Sequence, residues 1–304
     1  MQNSAKVNKP RIEFVQSVAY SLSQQTIGVW VLTLAVILPT VSLSQQRGQQ
    51  AAPAKPTPRH PDGRPNFGPP PGETGLWQPA GSRLADVDHY DPKDPKAAFN
   101  VPDGFPGKLK LSDVPFQPWA RALFDYRQDN EFEPYTRCKP SGGPRQVATA
   151  YGTELIDMPD LKRLYITQTG GPHTFRIVYM DGRAHPDHLD PSYYGHSVGH
   201  WEADTIVVDT IGFNEKFWMD REGTPHTEKL HIIERFTRTD FNTLKYEVTI
   251  DDPGAYTSTW KAGFFFRWQS GVETFEYICQ DNNQAPELLV GSQKSVDRSS
   301  LIVP

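Results

Sequence analysis

Clusters of lysine and arginine are missing from this sequence. Its 31 basic residues are outnumbered by 36 acidic ones and are nowhere gathered into a run. Phosphate backbones are held by clustered positive charge, so nucleic acid is excluded as a partner. Cysteine is scarce as well, with only Cys138 and Cys279 in 304 residues. Neither follows the N-terminal apolar run, which excludes a lipoprotein-type anchor. No His-Glu-x-x-His spacing occurs, which removes the helical zinc-hydrolase motif. Helical periodicity between the strand-like runs is absent too, and with it the alternating β/α architectures.

The N-terminus has Lys6, Lys9 and Arg11, then an apolar run from Ile27 to Leu38, then Ser42-Leu43-Ser44 before Gln45. This is the form of a secretory signal segment spanning 1–44. The alternative is an uncleaved inner-membrane anchor over 27–43, for which the run is short. Without residues 1–44 the chain keeps 28 basic and 35 acidic residues, a formal net charge of −7. A periplasmic or secreted location follows from export, with membrane contact only if the segment is retained. An oxidising compartment allows a Cys138–Cys279 disulfide tying together the two ends of the ordered block.

Proline divides the remainder. Eighteen of the 28 prolines lie between Pro53 and Pro144, and such a composition favours an extended or disordered segment, assigned to 45–114. One short helix is expected near 118–128, where Trp119, Ala122, Leu123 and Tyr126 recur at helical spacing after Pro118. Beyond Pro144 the period changes to two. Leu244, Tyr246, Val248 and Ile250 alternate with Lys245, Glu247 and Thr249, and comparable runs fall near 147–157, 162–168, 173–181, 194–202, 204–212, 229–239, 258–268 and 272–280. Tight turn signals separate them, and 213–228 is the one long connection. The expected fold is all-β: an antiparallel meander closing into a lipocalin-like barrel over 115–282, with a β-sandwich as the alternative and a tail at 283–304.

Several residues bear on chemistry. Gly195-His196-Ser197-Val198-Gly199 matches the serine-hydrolase elbow, but a strand follows in place of the required helix. The glycines therefore read as a closely approached strand, and Ser197 is not assigned as a nucleophile. His185-x-x-His188, with Asp187 and Asp190, lacks a third ligand at a diagnostic spacing, so no metal or other cofactor is assigned. Glu234 shares strand parity with Leu230, Ile232 and Phe236 and should point inward, where a carboxylate needs a partner. The same reasoning places Asp209 inward, with Trp201, Arg235 or Arg183 as partners. His226 ends the long connection, at what would be the barrel mouth. The candidate ligand-binding set is thus Arg183, Trp201, Asp209, His226, Glu234 and Arg235, with Glu234, Asp209 and His226 as potential acid/base groups.

Six segments together carry a resemblance: CKPSGGPR at 138–145, DGRAHP at 181–186, YGHSVGHWEADTIVVDTIGFN at 194–214, GTPHTEKLHIIERFTR at 223–238, VTIDDPGAYTSTW at 248–260 and FEYICQDN at 275–282. The block 115–282 resembles a family of exported bacterial proteins of unknown function. The resemblance implies export and a shared fold, and carries no reaction. This chain departs from the pattern at His196, where an acidic residue is usual, and at Ala203, where glycine is usual. The leading expectation is an exported barrel binding a small apolar molecule in its cavity. An acid/base enzyme (hydrolase, isomerase or lyase) and a structural envelope protein are the alternatives. The sequence does not set the oligomeric state.

Overall fold

A computed structural model describes residues 54–94, 101–171 and 175–279. The expected signal segment and the C-terminal tail lie outside these residues. Nine strands close into one barrel: β1 (Gly75–Pro79), β2 (Thr153–Met158), β3 (Arg163–Gln168), β4 (Phe175–Tyr179), β5 (His196–Glu202), β6 (Thr205–Ile211), β7 (His231–Arg238), β8 (Thr243–Asp251) and β9 (Trp260–Ser270). The expected barrel is therefore what the chain forms, and the sandwich is not.

An odd number of strands cannot close with antiparallel pairs alone. The odd step falls between β4 and β5, which run parallel and pair only at Val178↔Ser197 and Tyr179↔Val198. A parallel pair needs a long crossover, here the connection 180–195, so 213–228 is not the one long link. Every other neighbouring pair is antiparallel.

Three strand assignments differ from expectation. The closing strand β1 comes from within the proline-rich segment, so a barrel boundary at 115 leaves out a wall strand. It aligns with β9 over five residues but meets β2 only at Trp77↔Thr153. Conversely, 272–279 is not a strand, although Phe275, Tyr277 and Cys279 alternate there. The chain leaves the sheet after Ser270 and is held by the Cys138–Cys279 disulfide. The run near 147–157 likewise splits into a short helix, α2 (Gly143–Val147), a turn and β2.

Inward positions follow period two and are filled with side chains. Phe236, Tyr246, Phe264 and Phe266 are fully buried. Each end of the barrel is covered. Helix α1 (Pro118–Asn130; α1 precedes α2) braces one end: Trp119 Nε1 donates to the Gly254 carbonyl at 3.0 Å and Arg127 Nη1 to Gly223 at 3.0 Å. Its buried face is Ala120 and Phe124, while Trp119 and Tyr126 are exposed, so the expected apolar stripe is rotated. Across the other end runs a strap, 54–71. Arg238 donates to the carbonyls of Asn66 (2.6 Å) and Gly68 (2.9 Å), Arg64 pairs with Asp157, and Phe67 packs edge-on against Trp201.

A candidate active site at the parallel seam

β4 and β5 pair only through the last two residues of β4, so Phe175–Ile177 and the segment leading into β5 share no ladder. A cleft of about 410 Å³ opens there, walled by Phe175, Ile177, Tyr179, Tyr193 and Tyr194 and reaching Arg176 and His196. The two motif glycines permit the crowding beside it. A Cβ at Gly199 would lie 2.7 Å from Val178 Cγ1, and one at Gly195, whose φ is +62°, would lie 2.4 Å from the Ile211 carbonyl oxygen. Ser197 faces the interior and its Oγ is 2.9 Å from Thr210 Oγ1, away from any histidine contact. That agrees with refusing it a nucleophilic role.

His196 begins β5 on the opposite, outer face. Its ring stacks on Tyr179 (5.2 Å, 21°), and its Nδ1 lies 2.8 Å from His185 Nδ1. His185 Nε2 is in turn 3.2 Å from Asp209 Oδ1, which His231 Nε2 also approaches at 2.8 Å. The carboxylate fixes the proton positions, since an ionised Asp accepts and cannot donate. His185 therefore carries its proton on Nε2 and accepts at Nδ1. His196 then carries its proton on Nδ1, and its Nε2 is left with a lone pair. Partial burial, the neighbouring His185 and the Arg183 charge all hold the His196 pKa below the ordinary histidine value. The ring is accordingly neutral near pH 7. A neutral imidazole oriented by a second group and a carboxylate is the arrangement of a general base.

The expected site residues do not converge. Glu234 points inward as expected, but its partner is Arg176 on β4, through Nη1–Oε2 at 2.7 Å and Nη2–Oε1 at 3.1 Å, with Tyr246 Oη donating to Oε1 at 3.0 Å. Asp209 does not share that interior. It lies opposite Ile233 in the β6–β7 register, while inward Val208 lies opposite Glu234. Its carboxylate is thus on the outer face with the histidines. Arg183 is near them: it pairs with Asp181 and lies 4.1 Å over the Tyr179 ring. Trp201 and Arg235 are elsewhere: Trp201 lies on the inward parity of β5 opposite Ile206, packed against the core at the strap end beside Phe67 and Arg64, while Arg235 is on the outer face, paired with Glu202.

His226 is buried in the connection 213–228. Its Nε2 lies 3.0 Å from the Phe217 carbonyl oxygen and its ring 4.1 Å from that of Phe217, while burial lowers its pKa. It secures the loop and does not reach the cleft. Sequence reasoning missed Arg176, Tyr179, His196 and His231. His185 was weighed only as a metal ligand. The available signal was a histidine at each start of β5 and β7, on the outward parity shared by Asp209. Compared with known proteins, the chain matches no family model, no curated protein and no solved structure.

Proposed function

We propose that the protein is an acid–base catalyst working outside the cytoplasm on a small apolar or aromatic molecule held in the seam cleft. The observation that carries this reading is the hydrogen-bonded chain Asp209–His185–His196, which ends at the cleft. Location outside the cytoplasm is supported by the Cys138–Cys279 disulfide, because such bridges persist in oxidising compartments. The aromatic walls suit an apolar substrate body, and the packed inward side chains favour the seam over the lumen as the place to hold it.

In this reading His196 Nε2 takes a proton from the substrate, or from a water attacking it. The imidazolium keeps its Nδ1–H on His185, whose Nε2–H remains on Asp209, so the new positive charge is stabilised through a neutral ring. The proton is then returned from Nε2 to the product or leaving group. Hydrolysis, isomerisation and elimination share that first step, and aryl esters of increasing acyl length are the simplest probes. His196→Asn and Asp209→Asn are each expected to lower turnover by about 10² or more with the fold unchanged. Wild-type turnover by both variants would defeat the reading and leave ligand binding without chemistry, the reading that the aromatic walls alone favour.

A further inference from the structure

A second opening in the barrel wall lies between β1 and β2, where the strands meet only at Trp77↔Thr153. Beside that single pair the free edge of β2, the end of β9 and the strap enclose a pocket of about 320 Å³. Its apolar walls include Phe67, Trp77, Leu155, Ile156 and Trp268. Gly75 makes the room: a Cβ there would lie 2.3 Å from Trp268 Cζ2, so only glycine lets the indole lie along β1. The pocket owes nothing to the seam cleft and does not depend on the reading given to it.

Most polar groups around this pocket are already satisfied by the protein. Asn66 donates to the Pro69 carbonyl at 3.0 Å and accepts from the Gly68 N–H at 2.8 Å. Asp157 is paired with Arg64 at 2.8 Å. Two lining groups are exceptions among the described residues: the buried Trp268 Nε1–H has no hydrogen-bond partner, and Glu154 has no ion pair. Partial burial pushes the Glu154 carboxyl pKa upward, and its charged neighbour Glu273, another acid, adds to the shift. A cation placed beside Glu154 would relieve both penalties. The indoles are themselves suited to cations, since Arg238 already lies 4.8 Å from the Trp77 ring centroid and 5.1 Å from that of Trp268. Arg238 would also repel a second cation. Its hydrogen bonds, however, engage its guanidinium with the carbonyls of Asn66, Gly68 and Phe241, and no ion pair joins it to Glu154 among the described residues.

We infer that the pocket beneath the strap is a binding site for a small aromatic amine, its ring against the Phe67–Trp77–Trp268 wall and its ammonium on Glu154. The walls supply apolar contact and the carboxylate supplies orientation, the usual division of labour in a small-molecule site. The amine is distinguished from a purely apolar guest by one charge.

The test is calorimetric titration of the full protein at pH 8 with 2-phenylethylamine and with propylbenzene, its neutral isostere, repeated on Glu154→Gln. The expected result is that the amine binds the wild type about fivefold more tightly than propylbenzene. Glu154→Gln should erase that preference while leaving propylbenzene's affinity unchanged, which also shows that the pocket is still formed. Equal binding of the two probes by the wild type would overturn the assignment, as would a preference that survives in Glu154→Gln. Absence of binding by both would reduce the opening to a packing gap.

Discussion

Arg176 holds both carboxylate oxygens of Glu234 across the barrel interior, from β4 to β7, with both side chains almost wholly removed from solvent. Burying either charge alone would be costly, and the paired geometry offsets that cost. Removing one partner therefore strands the other. Glu234→Leu is expected to cost about 3–5 kcal/mol in urea-unfolding experiments. The double variant Arg176→Met/Glu234→Leu should recover much of that loss, because it removes both desolvated charges. A Glu234→Leu protein as stable as wild type would mean that the pair is not formed.

How far the sequence foretold this arrangement depends on the strand. Glu234 was legible because Leu230, Ile232 and Phe236 set an unbroken alternation over β7. Arg176 was not, because β4 has only five residues and pairs with β5 through a crossover that local periodicity does not encode. Asp209 was misplaced for a related reason. Val207 and Val208 are both buried, so parity within β6 is ambiguous, and only the register with β7 resolves it. β1 was hidden by the prolines around it and by having one strand partner over most of its length. The segment 272–279 misled in the opposite direction, since Phe275 and Ile278 look like strand residues yet are exposed. Ala203, placed where the family resemblance expects glycine, stands at φ +51°, so the turn between β5 and β6 adopts a glycine-type conformation without one.

That exposed segment sets the expected effect of the disulfide. The bridge closes a loop of 141 residues, for which the chain-entropy model gives about 5 kcal/mol. Much of this gain is offset, because the reduced native protein can release 272–279 and regain its entropy without opening the barrel. Reduction is therefore expected to cost only about 2 kcal/mol in unfolding free energy. Amide exchange should rise after Ser270 and stay slow in β8 and β9. Loss of protection throughout the barrel on reduction would contradict this account.

Glu222 offers a pH test with a defined sign. Burial and the adjacent Asp220 push its pKa up to about 7, against an ordinary value of 4.5, despite the Arg83 guanidinium 3.3 Å away. Between pH 4.5 and about 7 the folded protein holds this proton and the unfolded chain does not. Its contribution to stability is thus full below pH 4.5 and is lost as pH rises toward 7. Glu222→Gln, which stays neutral, should stabilise the protein relative to wild type at pH 8 and lose that advantage at pH 4.5. Thermal unfolding at the two pH values measures the difference, and an equal effect at both would rule out the raised pKa.

The tautomers of the histidine chain can be observed without knowing any substrate. Asp209 accepts hydrogen bonds from His185 and His231, and the 2.8 Å approach of two Nδ1 atoms requires one donor and one acceptor. Long-range nitrogen–proton spectra near pH 7.5 should therefore show His185 protonated on Nε2 and His196 on Nδ1. In Asp209→Asn the carboxylate that fixes this order is gone, and both rings should become mixtures of tautomers. The acid limb follows from the depressed His196 pKa. On lowering the pH, His196 should stay neutral to below the ordinary value of 6.5 and only then charge on Nε2. In that window the unfolded chain binds the extra proton, so this group's contribution to stability is full above pH 6.5 and declines below it. Should His196 carry its proton on Nε2 at pH 7.5, the nitrogen that does not contact His185 would be a donor, and the general-base assignment would fall even with every distance unchanged.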